Sequence, residues 1–418
     1  MNKSVLISSL LTIILITIYV LEVTGQTAKT NTFLPQPTGK YIAGTYDLFL
    51  VDSSRKEIFT RRKNDFRRLY VKIWYPSDES YNVQENKYLE GYDPEIISKS
   101  YKYLNAPDFY FDSLVKEKTN SYKEIPVSKS EDMFPVIIFS QGYFAGLPDI
   151  YSCFMENLAS NGYIIFSITH PYEQIIVNYP DGQTAKVKKN LTHKAFLQWA
   201  LAKYTRLRKL DTPERIHLLL KRNFKIMKVF DRSLDIWVDD SRYLMNQLEE
   251  INSGIIETPL TRKIDLNKIG AMGQSFGGAT AGQLCLLDKR VKAGINLDGF
   301  QFGDVYNNNI NKPFMLIQST SFIDWNIGNQ MIYSNTTEPF YLLEIRRAKH
   351  YIFSDIAVLP NVPEEMMIEY LGNINPPKTM KTINNYILEF CNQYLKNNKS
   401  SLLMNDINNS DIIFKIKN

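Results

Sequence analysis

Cysteine and histidine are both scarce in this chain, and each scarcity narrows what the chain can be. The three cysteines, Cys153, Cys285 and Cys391, stand far apart, an odd number with no short spacing between any two. That excludes a disulfide framework and the close pairs of a cysteine-bound metal. Isolated cysteines of this kind behave as small core hydrophobes. Charge of one sign is also scarce: the formal balance is +5 over 418 residues, mild and dispersed, which argues against a nucleic-acid partner. Long apolar runs are missing everywhere except at the N-terminus, so no later segment is expected to span a bilayer. There is no internal repeat.

The chain is 44% apolar, enough for a large core. Lys3, the apolar run Val5 to Leu21 and the segment Glu22-Val23-Thr24-Gly25 read as an export signal over residues 1–25, cleaved before Gln26. The run approaches bilayer length, so an uncleaved signal anchor is the alternative. No cysteine stands near the cleavage point to carry a lipid. The expected location is secreted or periplasmic. Residues 26–39 read as an extended leader, 40–400 as one domain, and the Asn-, Ser- and Lys-rich residues 401–418 as a flexible tail.

Within the domain, Tyr46 to Val51 and Leu69 to Tyr75 alternate as an antiparallel strand pair. Pro135 to Ser140 is an apolar run of the kind buried on both faces. A glycine-bearing loop follows, then a helix near 150–160 and another buried strand from Tyr163, which makes a right-handed βαβ unit. Residues 190–250 form a helical, lid-like insertion. Ile216, Leu220, Phe224 and Met227 recur at helical spacing there, as do Leu234, Trp237, Ser241, Leu244 and Leu248. Its first helix carries Arg215, Lys221, Arg222, Lys225 and Lys228, a solvated face in the plain reading and a lipid-facing one in the sharper reading. Short strands recur at Ala293, Pro313 and Phe340. Together these give an α/β fold with a mostly parallel central sheet flanked by helices.

Gly273-Gln274-Ser275-Phe276-Gly277-Gly278 sits between a buried strand and a run rich in small residues. A G-x-S-x-G turn in that context is the nucleophile elbow of the α/β-hydrolase fold. Serine needs a base to become a nucleophile. Of His170, His193, His217 and His350, only His350 follows Ser275, as the serine–acid–histidine order of this fold requires. The acid is less determined. Asp288, Asp298, Asp304, Asp324, Glu338 and Glu344 all lie in the interval, and Asp298 and Asp324 both follow strands. Spacing does not separate those two. The oxyanion needs backbone donors; the amides of Phe276, after the elbow, and of Tyr143, in the early glycine loop, are the candidates.

With these residues assembled, the chain resembles the secreted, calcium-independent platelet-activating factor acetylhydrolases. The likeness is carried by Gly44 to Leu48, Trp74 to Ser77, Val136 to Gly142, Leu158 to Gly162, Gly273 to Thr280, Gly294 to Asp298 and His350 to Asp355. The resemblance implies Asp298 as the acid, whereas the general placement of the fold would choose Asp324. It implies removal of a short sn-2 acyl group from phospholipids by a Ser275–His350–Asp298 triad with no metal or cofactor. The substrate is then a small ester or phospholipid, met in solution or by peripheral contact with a lipid surface. Two positions depart from the family: Gln141 and Gln274 stand where it usually has histidine. A general carboxylesterase or dienelactone-hydrolase-like enzyme is the competing activity, and an inactive hydrolase-fold binding protein the competing class.

Overall fold

The computed structural model describes residues 32–78, 85–101, 109–204, 212–334 and 336–417. The expected export signal lies outside them. Two long strands open the fold, β1 (Ile42–Lys56) and β2 (Phe66–Ser77), paired antiparallel. Short strands β3 (Glu85–Lys87) and β4 (Lys118–Lys123) extend that edge. The centre is β5 (Phe134–Ser140), β6 (Ile164–Thr169), β9 (Ile264–Gln274), β10 (Val291–Leu297), β11 (Phe314–Gln318) and β12 (Phe340–Ile345). Strands β7 (Ile176–Asn178) and β8 (Thr184–Lys186) form a separate hairpin. Strands β13 (Ile407–Asn408) and β14 (Ile412–Lys417) finish the chain. Among the described residues the main sheet has twelve strands in the order β13-β14-β12-β11-β10-β9-β5-β6-β2-β1-β4-β3, and the central run from β12 to β6 is parallel.

The parallel centre follows from composition. Every residue of β5 and of β6 is buried, so neither strand has a solvated face, and helices must cover both sides. Ile137, Phe139, Ile165 and Met272 point into one core with the helices Ser152–Ser160 and Pro376–Leu395. Val136, Ile138, Phe166 and Ala271 point into the other, with the helices Lys228–Ser253 and Phe276–Leu287. All three cysteines are buried free thiols.

Among its described residues the insertion forms three helices, Lys189–Tyr204, Pro213–Ile226 and Lys228–Ser253. Leu234, Trp237, Ser241, Leu244 and Leu248 are all buried, as their spacing predicts, while Arg215, Lys221, Lys225 and Lys228 are exposed. No helix among the described residues is long and apolar enough to cross a membrane.

The tail expected to be flexible is a correction. Strand β14 pairs antiparallel with β12 along its whole length, and Phe414 is fully buried against Tyr341 and Tyr386. Ile412, Phe414 and Ile416 alternate in strand fashion, and the Asn- and Ser-rich residues before them hide the pattern. Replacing Phe414 with Ala is expected to destabilise the domain by about 3–5 kcal/mol. Urea unfolding measures this, and a loss below about 1 kcal/mol would show that β14 does not close the sheet.

Candidate active site

Strand β9 ends at Gln274, and Ser275 then takes φ 56° and ψ −121°, a left-handed conformation that costs energy for any residue but glycine. The surroundings impose it. The Ser275 amide donates to Leu297 O at 2.8 Å, one rung past the end of the parallel ladder, and its carbonyl accepts from Gly278 N at 2.9 Å. A Cβ on Gly273 would lie 2.1 Å from the Gly277 carbonyl, so the chain can double back this tightly only at glycine. The helix Phe276–Leu287 begins at once, its first amides lacking intrahelical acceptors.

The neighbouring strand repeats the device. After β10, Asp298 also has φ 56°, and its amide donates to Ile317 O at 2.7 Å. This turns the carboxylate toward His350, which opens a short 3-10 turn after β12. His350 Nδ1 lies 2.7 Å from Asp298 Oδ2. The Ser319 amide donates to Asp298 Oδ1 at 2.6 Å and its hydroxyl to Oδ2 at 2.8 Å, while the His350 amide donates to Ser321 Oγ at 3.0 Å. A carboxylate can only accept, so Nδ1 carries the proton and Nε2 presents its lone pair.

Ser275, Asp298 and His350 line one cleft of about 280 Å³, walled by Phe276, Phe300 and Trp325 among others. A smaller recess of about 80 Å³ also reaches Ser275 and His350 and is bordered by Tyr101, Gly142, Tyr151 and Gln274. The amides of Tyr143 and Phe276 donate to no protein group among the described residues. The Tyr143 loop is firmly seated. Gln141 donates to Ser167 Oγ at 2.7 Å and accepts from Gln174 Nε2 at 2.8 Å, and Phe144 N donates to Glu173 O at 2.9 Å.

Behind that loop lies a buried polar cluster. Glu173 accepts from Trp237 Nε1 at 2.9 Å and from the Ser233 hydroxyl, and burial pushes its carboxyl up to about 6. The Trp237 ring stacks on His170 with centroids 3.9 Å apart. His170 Nδ1 faces Asp240 Oδ2 at 3.0 Å and its Nε2 faces Ser140 Oγ at 3.3 Å. Burial pulls the His170 imidazole down to about 4.

The other acids lie elsewhere. Asp324 lies in the first turn of the helix Ile323–Tyr333 and borders a neighbouring recess with Trp199 and Asn223, whereas the Nδ1 partner of His350 is Asp298. Asp288 pairs with Arg290 at 2.7 Å, Asp304 accepts from Gln283 at 2.8 Å, and Glu344 accepts from Gln318 at 2.8 Å. Sequence reasoning missed Ser319, which follows a strand as Asp298 does, and Tyr151, whose hydroxyl accepts from Gly142 N at 3.1 Å. Neither carries a motif.

A mostly parallel sheet with an elbow serine at its C-terminal edge defines the α/β-hydrolase class. The same architecture is found in a ferulic acid esterase from Streptomyces cinnamoneus, with a TM-score of 0.66, 22% identity and coverage of 90% of this chain and 96% of that one. The family model for platelet-activating factor acetylhydrolase, isoform II, matches residues 26–411, and the chain belongs to that family. A platelet-activating factor acetylhydrolase of Cavia porcellus is 26% identical over 380 residues, 87% of this chain and 78% of that protein. One of Gallus gallus is 23% identical over 381 residues, 87% and 83% of the two chains.

The geometry separates the two acids experimentally. Asp298→Asn is expected to lower kcat by about 10⁴-fold, because the amide no longer holds the required tautomer. Asp324→Asn should stay within about ten-fold of the parent. Steady-state kinetics on a p-nitrophenyl ester measures both, and the reverse ranking rejects Asp298.

Proposed function

We propose that the protein is a serine esterase that removes short acyl groups from phospholipids resembling platelet-activating factor. The observation that carries this reading is the strained Ser275 beside the bonded His350–Asp298 pair in one cleft. Ser275 Oγ attacks the ester carbonyl while His350 Nε2 takes its proton, and Asp298 orients the imidazole and stabilises its charged form. The tetrahedral oxyanion is held by the Phe276 and Tyr143 amides, each worth about 10²–10³ in rate. His350 then protonates the leaving lysolipid alkoxide, leaving an acyl-enzyme. Water, deprotonated by the same imidazole, releases the acid and restores the serine.

Two features favour a short acyl group on a lipid. The recess on the Gln274 side, about 80 Å³, has room for roughly half a dozen water-sized groups. The larger cleft is mainly aromatic, and Phe196 at its edge is exposed together with Leu197 and Leu201 on the same helix. That apolar rim supports peripheral contact with a lipid surface. The names of the relatives support the same substrate class. The N-terminal run supports export, with residues 1–25 as the signal.

A fluorophosphonate probe is expected to label Ser275 in the folded protein and to leave Ser275→Ala unlabelled. Absence of labelling favours an inactive binding protein. On a series of sn-2 acyl phosphocholines, kcat/KM should fall as the acyl chain lengthens beyond a few carbons. A rate that rises with chain length, or ignores the phosphocholine headgroup, favours a general carboxylesterase.

A further inference from the structure

Gln274 is the residue next to the nucleophile, and its side chain lies on the base. Gln274 Nε2 is 3.1 Å from His350 Nε2, the nitrogen that must receive the Ser275 proton. The other end of the amide is fixed: the Tyr151 hydroxyl lies 3.0 Å from Gln274 Oε1. Tyr151 has one proton, and its oxygen already accepts from Gly142 N at 3.1 Å, so that proton goes to Oε1. This sets the orientation of the amide, with its NH₂ toward the imidazole. The seat is tight as well as bonded: a Cβ on Gly142 would lie 2.7 Å from Gln274 Oε1.

The result is one continuous chain of donors, running from Gly142 N–H through Tyr151 and Gln274 to His350 Nε2. From Nδ1 of the same ring it continues to Asp298. Gln274 donates a hydrogen bond to the Nε2 lone pair, a bond that only the base form of the ring can accept, since a protonated Nε2–H would face the amide NH₂. It also competes with Ser275 for that lone pair. Ser275 Oγ makes no hydrogen bond to a protein group among the described residues.

We propose that Gln274, held by Tyr151, is a positioning residue whose hydrogen bond holds the His350 ring in the base tautomer until substrate draws the imidazole to Ser275. Because Tyr151 also holds Gly142, the same hydroxyl couples the base to the oxyanion loop. This rests on the serine esterase reading above and adds a residue to it. The other ionisable groups on the surrounding elements are differently engaged. Asp355, on the next turn, accepts from the amides of Ser152 and Cys153. Lys349 donates to Glu369 O. Tyr351 lies edge-on to the His350 ring and packs against Tyr370 on the helix Glu364–Leu371, while Asp324 lies in the first turn of the helix that follows Phe322.

The test is the acid limb of the kcat/KM profile on a soluble acetyl ester. Gln274→Met removes the donor, so protonation of the base occurs at higher pH and the limb moves up by about half to one unit. Gln274→Glu presents an acceptor instead and moves the limb further in the same direction. Tyr151→Phe frees the amide to turn and shifts the limb the same way by a smaller amount, which keeps the test available if the Gln274 variants do not fold. The expected order is Glu above Met above the parent. Limbs that coincide within about 0.2 unit in all three variants overturn the proposal, even where kcat falls, since lost packing changes rate without moving the limb. Ser275→Ala, run beside them, separates the two failures: if it retains turnover, the esterase reading itself is wrong.

Discussion

The site depends on two hydrogen bonds that continue parallel ladders one residue beyond their strands, Ser275 N to Leu297 O and Asp298 N to Ile317 O. Each holds a non-glycine residue at φ 56°. Strain of this kind, about 1–3 kcal/mol per residue, persists only where the surroundings over-determine it. Here the parallel centre of the sheet, packed on both faces, supplies the constraint. Because the two strands are neighbours in register, the serine and the carboxylate emerge at the same edge and height. His350 needs only a short turn after β12 to reach the second of them. The precision of the site is thus a property of the sheet rather than of its loops.

The side of the sheet facing the insertion is organised by burial of charge. Arg67 on β2 holds Asp240 through two bonds of 2.6 and 3.0 Å, and Asp240 in turn faces His170. Burial alone would raise the Asp240 carboxyl, but Arg67 and His170 hold it well below the usual range. Ser140, His170 and Asp240 reproduce the residue types and contacts of a catalytic triad, yet all three are buried. Access, more than residue identity, distinguishes this cluster from the one at Ser275.

Much of this was legible in the chain. The elbow pattern and the requirement for a downstream histidine led to Ser275 and His350, which border the same cleft. Strand-forming runs with no polar face announced the parallel centre. Asp298 and Asp324 could not be separated by spacing because both follow a strand; only the turn at Asp298 aims its carboxylate at the ring, and turn geometry is not written in residue type. The β14 strand was obscured by its polar neighbours. Contacts such as Tyr151 with Gln274, 123 residues apart, or Arg67 with Asp240, 173 apart, have no local signature. They arise only when the sheet brings distant segments together.

The Arg67–Asp240 pair also fixes one wall behind the cleft. Pulling the helix Lys228–Ser253 away from the sheet would break the buried Arg67–Asp240 pair, at a cost of about 3–5 kcal/mol, and leave Arg67 with Glu57 alone as its carboxylate partner. That helix is a fixed door frame. The helix Lys189–Tyr204 carries exposed Phe196, Leu197 and Leu201, and Met227 breaks the helical path with φ −91° and ψ 41° just before the frame begins. The apolar rim of the cleft thus stands on an outer helix, while the wall that carries Trp237 is tied to the sheet through Asp240 and Arg67.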